Sequence, residues 1–202
     1  MSSEPRTGRP RASSREVLAE AACELFLERG YDATSIADIT SRAGVSRSSF
    51  FNYFSSKGDV LWAALDERIA ALRTRLHSDE GPDAATTVRA AVAEIADDFE
   101  PESLALAMAN SAAMGIEDEL ERESALRRAR IARAVADRLR RGGEDALRAE
   151  VLAAAYGGAV LASVELWADE GPGRRALGSV LDRALTVVAT LPAAAVLPAA
   201  AS

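Results

Sequence analysis

The side chains best suited to recognise another molecule lie in one stretch, residues 34–54, which reads TSIADITSRAGVSRSSFFNYF. Arg47 and Asn52 carry planar polar groups, and the small hydroxyl residues Ser48 and Ser49 lie between them. In the major groove of DNA, arginine bonds the edge of guanine with two hydrogen bonds, and asparagine does the same with adenine. This combination indicates a surface that reads base pairs.

A tight turn between two short helices would present these side chains. The first helix is predicted to begin at Thr34 or Ser35, to bury Ile39 and to end at Gly44. Glycine adopts the positive φ of a sharp reversal without the steric cost that other residues have. A short helix, a glycine turn and a second helix are typical of a helix-turn-helix.

The second helix is predicted to begin after Ser46, which can cap it, and to run to about Phe54. Phe50 and Phe54 are four residues apart and therefore share the inner face. Thr34, Ser35, Tyr53 and Lys57 are placed to hold backbone phosphates. The alternative is a helical hairpin that only packs. The residues predicted to contact DNA are Thr34, Ser35, Arg47, Ser48, Ser49, Phe51, Asn52, Tyr53 and Lys57.

The charge of the chain is unevenly distributed. Its net charge is −7, yet residues 1–57 carry 8 basic and 7 acidic side chains. The rest of the chain carries 16 basic and 24 acidic side chains. Contact with a polyanion such as DNA is therefore expected only in the first part.

Composition argues against several other classes of protein. The chain has one cysteine, Cys23, and one histidine, His77. This predicts no disulfide, no metal site, no cofactor and no histidine-based catalysis. There is no run of eighteen apolar residues and no apolar leader, so we expect no membrane span and a cytoplasmic protein. The sequence offers no nucleophile–base pair, phosphate loop or metal set, so we expect no enzyme.

Apolar residues recur at three- and four-residue spacing through most of the chain, and strand patterns are nearly absent. This predicts an all-α fold of about nine helices, with an N-terminal three-helix unit, a hinge near residue 57 and a larger C-terminal helical bundle. After the helix-turn-helix, helices are predicted at 56–76, 83–98, 102–114, 117–141, 144–169 and 174–191.

The sequence resembles the tetracycline-repressor (TetR) family of bacterial transcription regulators. One departure is Phe51, where the family commonly has a phosphate-binding tyrosine, so Tyr53 is expected to carry more of that contact. The resemblance covers about residues 13–62 and rests on Ala22, Leu25, Phe26, Gly30-Tyr31, Thr34-Ser35, Ile39, Ala43-Gly44-Val45-Ser46, Phe50-Phe51-Asn52-Tyr53-Phe54 and Ser56-Lys57.

The resemblance implies a homodimer that binds a palindromic operator and is released by a small-molecule effector. It divides the chain into a flexible basic arm (1–12), a DNA-binding domain (13–57), a ligand-binding and dimerisation domain (58–191) and a disordered tail (192–202). The sequence from Phe50 to Trp62, together with Trp167, also resembles a branch that includes mycofactocin-system regulators, which implies acyl-coenzyme A effectors. An activator, a co-repressor-dependent regulator and a helical ligand carrier are the alternatives.

The basic arm contains Gly8-Arg9-Pro10-Arg11. Arginines on a stiff, extended segment fit a narrow minor groove, where the negative potential is strong. A solvated tail is an equally good interpretation of such a short basic segment.

The last two helices are predicted to form a dimer interface across a two-fold axis. The alternative is that the same apolar residues are ordinary core of one chain. The predicted interface residues are Tyr156, Gly157, Leu161, Leu177, Val180, Leu181, Ala184, Leu185 and Val188.

An effector pocket is predicted between helices of the larger domain, although each candidate could also be plain core. A run of arginines in residues 127–141 could receive an anion, but glutamates precede it, so a solvated face of ion pairs is favoured. The pocket candidates are Phe99, Leu104, Met108, Asn110, Met114, Tyr156 and Trp167.

Overall fold

The protein was analysed as a computed structural model that describes residues 14–99, 101–171 and 174–190. Within these ranges the chain forms ten α-helices and one 3-10 turn, Glu94–Ala96, and no strand, which confirms the all-α fold. The helices are α1 Ser14–Arg29, α2 Ile36–Ala43, α3 Arg47–Phe51, α4 Asp59–Ser78, α5 Ala84–Ala93, α6 Glu102–Ala109, α7 Ser111–Met114, α8 Glu117–Arg141, α9 Ala146–Glu170 and α10 Leu177–Thr190.

Two predicted helices differ from the observed ones. The single helix expected over 102–114 is split at Asn110, whose side-chain amide donates to the carbonyl of Leu106 at 2.9 Å and whose backbone leaves the helical region. Asparagine favours such breaks because its side chain competes for backbone hydrogen bonds. The helix expected to reach Phe54 ends at Phe51, since the amides of Tyr53 and Phe54 both donate to the Phe50 carbonyl in a closing turn.

The described chain divides into two compact units. The first holds the described residues up to Ala64 together with Glu102–Leu120. In it α1 packs against α2, α3, α6 and α7. The segment 102–120, which the sequence places in the C-terminal domain, thus shares a core with the helix-turn-helix. That core includes Leu18, Ala22, Leu25, Phe26, Ile39, Phe50, Phe54, Leu61, Trp62, Leu104 and Met114.

The second unit holds Leu65–Pro101 and the described residues from Glu121 onward, and in it α10 packs against α9 and α5. By length and composition α9 is apolar enough to cross a membrane, with a mean hydropathy of 1.5 over its most apolar 18 residues, and it is the one such helix among the residues described. Half of that window is buried within the protein, as in the core helix of a bundle.

The predicted dimer interface needs correction. Seven of its nine residues are buried inside the second unit of a single chain, as the alternative of ordinary core describes. Tyr156 and Ala184 are half-buried. The buried residues are Gly157, Leu161, Leu177, Val180, Leu181, Leu185 and Val188.

Gly157 shows how closely the helices of this unit approach. A Cβ at Gly157 would lie 2.7 Å from the backbone oxygen of Arg128 on α8, whereas a Cβ at the neighbouring Gly158 would meet nothing within 4 Å. Only a residue without a side chain fits the first position, while the second faces outward. This glycine therefore serves the contact between α8 and α9 within one chain.

Candidate nucleic-acid interface

The start of α2 is fixed by a capping box. The Ser35 hydroxyl accepts from the Asp38 amide, while the Asp38 carboxylate accepts from the Ser35 amide at 2.9 Å and from its hydroxyl. The hydrogen bonds from the Ser35 side chain and backbone hold the pKa of Asp38 below its ordinary value. At the other end of α2, Gly44 has φ 67° and its amide donates to the carbonyls of Thr40 and Ser41, as predicted.

The orientation of α3 is set by its cap and its buried aromatic rings. Ser46 accepts from the Ser49 amide at 3.1 Å, and its hydroxyl also lies 2.8 Å from that of Ser48 and 2.9 Å from that of Ser49. Phe50 and Phe54 are buried with ring centroids 5.3 Å apart, so the predicted inner face is confirmed. Both ends of this short helix are therefore anchored.

The opposite face of α3 is open to solvent. Arg47, Ser48, Phe51, Asn52 and Tyr53 are exposed, and Ser49 is half-buried. The Arg47 guanidinium lies over the Phe51 ring, 5.7 Å from its centroid. We call this set of six residues the α3 outer face. It brings the predicted base-reading residues together on one surface.

Two predicted phosphate ligands have partners inside the protein. The Thr34 hydroxyl is buried and donates to the Gly30 carbonyl at 2.8 Å, so its expected phosphate contact is replaced by a structural role. The Lys57 ammonium donates to the carbonyls of Tyr31 at 2.6 Å and Thr34 at 3.2 Å. Since an ammonium has three donors, one remains for a DNA phosphate.

Tyr31 is a residue of this region that the sequence reasoning did not single out. Its ring lies 4.0 Å from the Lys57 ammonium, and its amide donates to the Met114 carbonyl at 2.8 Å. Its hydroxyl donates to Glu119 at 3.1 Å. Tyr31 thus ties the turn between α1 and α2 to Lys57 and to the end of α7. The one signal available for it was its place beside Gly30.

Arg42 links α2 to α1 on the surface. Its guanidinium donates to Glu24 at 2.9 Å and to Glu28 at 2.7 Å, and the hydrogen bond from Arg42 holds the pKa of Glu28 below its ordinary value. The three side chains are exposed, so the ion pairs orient α2 more than they stabilise it.

Residues 18–64 match the family model of the bacterial regulatory proteins of the tetR family. The N-terminal domain of the chain therefore matches the TetR family. The matched range contains α2, α3 and nearly all of α1, so it coincides with the elements that build the α3 outer face.

Curated relatives match somewhat more than a third of the chain. The protein of Mycobacterium tuberculosis that carries the name mycofactocin biosynthesis transcriptional regulator MftR is 33% identical over 73 residues, which are 36% of this chain and 37% of that protein. The transcriptional repressor Rv3405c of the same species is 38% identical over 77 residues, which are 38% and 40%. The chain spans about two fifths of the length of these relatives.

Solved structures of TetR regulators match the fold over most of the chain. Thermus thermophilus FadR, a transcriptional repressor in complex with lauroyl-CoA, is 26% identical with a TM-score of 0.53, covering 91% of this chain and 98% of that one. NalD of Pseudomonas aeruginosa is 20% identical with a TM-score of 0.55, covering 87% and 94%. The chain therefore shares the fold of these TetR regulators beyond its N-terminal domain.

Four predicted pocket residues lie in the first unit. Leu104 and Met114 are fully buried, while Met108 and Asn110 are half-buried. The Asn110 side chain, predicted as a polar anchor for an effector, donates to the Leu106 carbonyl. Its amide oxygen remains the group that could accept from a ligand.

The other three pocket candidates lie in the second unit. Trp167 is fully buried and its indole N–H donates to the Arg175 carbonyl at 2.7 Å. Phe99 is buried, with the Arg68 guanidinium over its ring at 5.1 Å. Tyr156 is half-buried, and burial raises the pKa of its hydroxyl. Trp167 is therefore a core residue, in line with the alternative noted above.

An apolar stripe on α9 escaped the sequence reasoning. Leu147 is 74% exposed and Val151 57%, and further exposed or outward-facing small and apolar residues follow at spacings of three and four. The signal was present as this spacing, but the equally apolar buried face of α9 masked it. We call this stripe the α9 outer face; it consists of Leu147, Val151, Ala154, Gly158, Ala162 and Leu166.

The remaining candidate groups are Cys23 and His77. Cys23 is buried, its thiol donates to the Ser103 carbonyl, and burial raises its pKa to about 11, which keeps it protonated. His77 is exposed near the end of α4. No cluster of three His, Cys, Asp or Glu side chains that could hold a metal occurs in the described part of the chain. The arm 1–12 and the tail 192–202 lie outside the described residues.

Proposed function

We propose that the chain is a transcriptional regulator that binds operator DNA through α2 and α3 and acts in the cytoplasm. The observation that carries this proposal is the α3 outer face, on which Arg47 and Asn52 are exposed while Phe50 anchors the helix from behind. Arginine and asparagine are the residues best suited to read guanine and adenine. The relatives MftR and Rv3405c, which match part of the chain, are named as a transcriptional regulator and a transcriptional repressor.

The proposed regulator acts as a homodimer. Helix-turn-helix proteins commonly bind two half-sites about 34 Å apart as dimers, because one recognition helix fills one major groove. The α9 outer face is a row of small and apolar residues that are exposed except for the half-buried Gly158. A second copy of the chain, with its own α9 outer face, is the proposed partner of this surface.

The proposed effector is an acyl-coenzyme A or another hydrophobic compound. Support comes from Thermus thermophilus FadR, which was solved with lauroyl-CoA and is 26% identical to this chain. Half-buried side chains such as Met108 or Tyr156 are better candidates for contacts than Trp167, which is committed to the core. The effector would act by binding better to a conformer with low affinity for the operator, so its differential affinity limits the response.

Repression is the proposed outcome of operator binding, since the relative Rv3405c and Thermus thermophilus FadR are both named as repressors. Activation is the second candidate, because FasR of Mycolicibacterium smegmatis, 36% identical over 98 residues, is named as an activator. The two outcomes use the same DNA contacts. A reporter gene behind the selected operator separates them, since its expression falls with a repressor and rises with an activator.

Selection from random-sequence DNA with the purified chain tests the proposal. We expect an inverted repeat to be enriched, and fluorescence anisotropy should then show much tighter binding to it than to a scrambled duplex. Lauroyl-CoA should release the protein from the inverted repeat. Coenzyme A alone and laurate alone are the controls and should not release it. A chain that enriches no sequence, and binds all duplexes equally, is not a sequence-specific regulator.

A further inference from the structure

The Phe51 side chain is an apolar ring that is exposed to water, which is unfavourable for the folded protein. It lies on the α3 outer face with 48% of its surface open to solvent, although it directly follows the buried Phe50. Phe50 holds it edge-on, with ring centroids 5.5 Å apart at 82°. Phe50 thus supports the ring while about half of its surface remains open to solvent.

Arg47 defines the surroundings of this ring. It precedes Phe51 by four residues, so the two side chains share one face of α3. The guanidinium lies over the ring at 5.7 Å from the centroid and pairs with no carboxylate among the described residues. A guanidinium stacked on an aromatic face keeps its N–H groups directed outward in the guanidinium plane. Arg47 is therefore held in place with its donors available for a base edge.

The chemistry of Phe51 restricts what it can contact. A phenyl ring has no group that can donate to or accept from a phosphate or a base edge. The apolar group that a base pair presents in the major groove is the C5 methyl of thymine. The neighbouring guanidinium suits the O6 and N7 acceptors of guanine. Together the two side chains match a thymine next to a guanine.

We propose that Phe51 determines specificity by packing on the methyl group of a thymine that neighbours the guanine bonded by Arg47. This inference rests on the proposed DNA binding and deepens it, because it names one base-pair step of the operator. Tyr53, the other exposed aromatic residue of the α3 outer face, carries a hydroxyl and remains the proposed phosphate ligand.

Methyl groups can be removed from DNA one at a time, which allows a direct test. In the selected operator, each thymine in turn is replaced by deoxyuridine, which differs only by that methyl. For the wild type, one position in each half-site, next to a guanine, should weaken binding roughly threefold to fivefold, the factor expected for one buried methyl group. For Phe51→Ala, deoxyuridine at that position should have no effect.

A second base replacement in the operator restores the methyl group on a cytosine instead of a thymine. Cytosine in place of the same thymine should weaken wild-type binding, and 5-methylcytosine should recover part of the loss. Phe51→Ala should not distinguish cytosine from 5-methylcytosine, whereas Phe51→Leu, which keeps an apolar side chain, should. Tyr53→Phe serves as the matched aromatic control and should retain the wild-type response to the methyl. Thermal melting confirms that the variants are folded.

The outcomes are separable. If the wild type binds a selected operator and no thymine methyl matters, or if Phe51→Ala responds to the methyl as the wild type does, the inference is wrong and the proposed function stands. If the wild type selects no operator at all, the proposed function fails and the inference falls with it.

Discussion

The ammonium group of Lys57 lies 2.6 Å from the backbone oxygen of Tyr31 and 4.0 Å from the centre of the Tyr31 ring. Lys57 follows α3, whereas Tyr31 lies in the turn between α1 and α2. The only lysine of the chain therefore joins the two ends of the helix-turn-helix. Its position suits a structural role, a phosphate contact by its third donor, or both.

Lys57→Met separates the two roles, because it keeps most of the alkyl chain and removes the charge. We expect it to destabilise the protein by about 1.5–3 kcal/mol, the range for hydrogen bonds that involve a charged group. Urea unfolding measures this loss. Operator affinity should fall equally on all sequences. Unchanged stability combined with weaker DNA binding would instead make Lys57 a phosphate ligand alone.

Capping and turn signals were predictable from the sequence because they act over a few residues. The helix α2 begins after Ser35, one of its two predicted starts, and Gly44 has the predicted positive φ. The roles of Lys57 and Thr34 were not predictable, since their partners depend on how α1 and α3 pack. Hydrogen bonds between residues close in sequence determine the shape of the α3 outer face. Contacts between helices determine whether its neighbours Thr34 and Lys57 can contact DNA.

The dimer interface shows a different limit. Leu161 and Val151 are both apolar and lie on the same helix, yet Leu161 is buried and Val151 is 57% exposed. Residue type alone cannot tell which side of an apolar helix covers its own core and which is left for a partner. The packing of α8 and α10 against α9 distinguishes them.

Gly157→Ala and Gly158→Ala form a matched pair on α9. The first places a methyl group 2.7 Å from the Arg128 carbonyl oxygen and should destabilise the protein by about 1–3 kcal/mol. The second meets no atom within 4 Å and should stabilise the helix by about 0.5–1 kcal/mol. Urea unfolding of both variants gives the comparison. Equal effects at the two positions would contradict the close approach of α8 and α9.

Val151→Glu should abolish dimerisation, because it places a charge in the middle of the apolar α9 outer face. Sedimentation velocity at micromolar concentration should show a monomer for the variant and a dimer for the wild type. Leu126→Glu is the matched control, since Leu126 is an exposed apolar residue on α8. If Val151→Glu remains dimeric, the partner binds elsewhere.

The capping box of α2 should make stability depend on pH in the acid range. The hydrogen bonds from Ser35 lower the pKa of Asp38 below 3.8, so the carboxylate stabilises the folded state at higher pH. This contribution is lost as the pH falls from about 3.8 through the folded-state pKa. Asp38→Ala should therefore be less stable than the wild type at pH 7, and the difference should shrink below pH 3.8.

Urea unfolding at a series of pH values measures that difference. Asp32→Ala, at an exposed aspartate of the same unit, is the control and should show little change at either pH. A constant difference between Asp38→Ala and the wild type over the whole range would mean that the charge of Asp38 is not what stabilises the cap.

The most direct test of the account is the binding of Arg47→Ala and Asn52→Ala to the selected operator and to its single-base variants. Each substitution should cost about 1–3 kcal/mol of binding free energy and remove the base preference at one position per half-site. Arg133→Ala, at an exposed arginine of α8, removes the same charge as Arg47→Ala and should leave the preference intact. If Arg47→Ala and Asn52→Ala retain both the affinity and the base preference of the wild type, the α3 outer face does not read DNA.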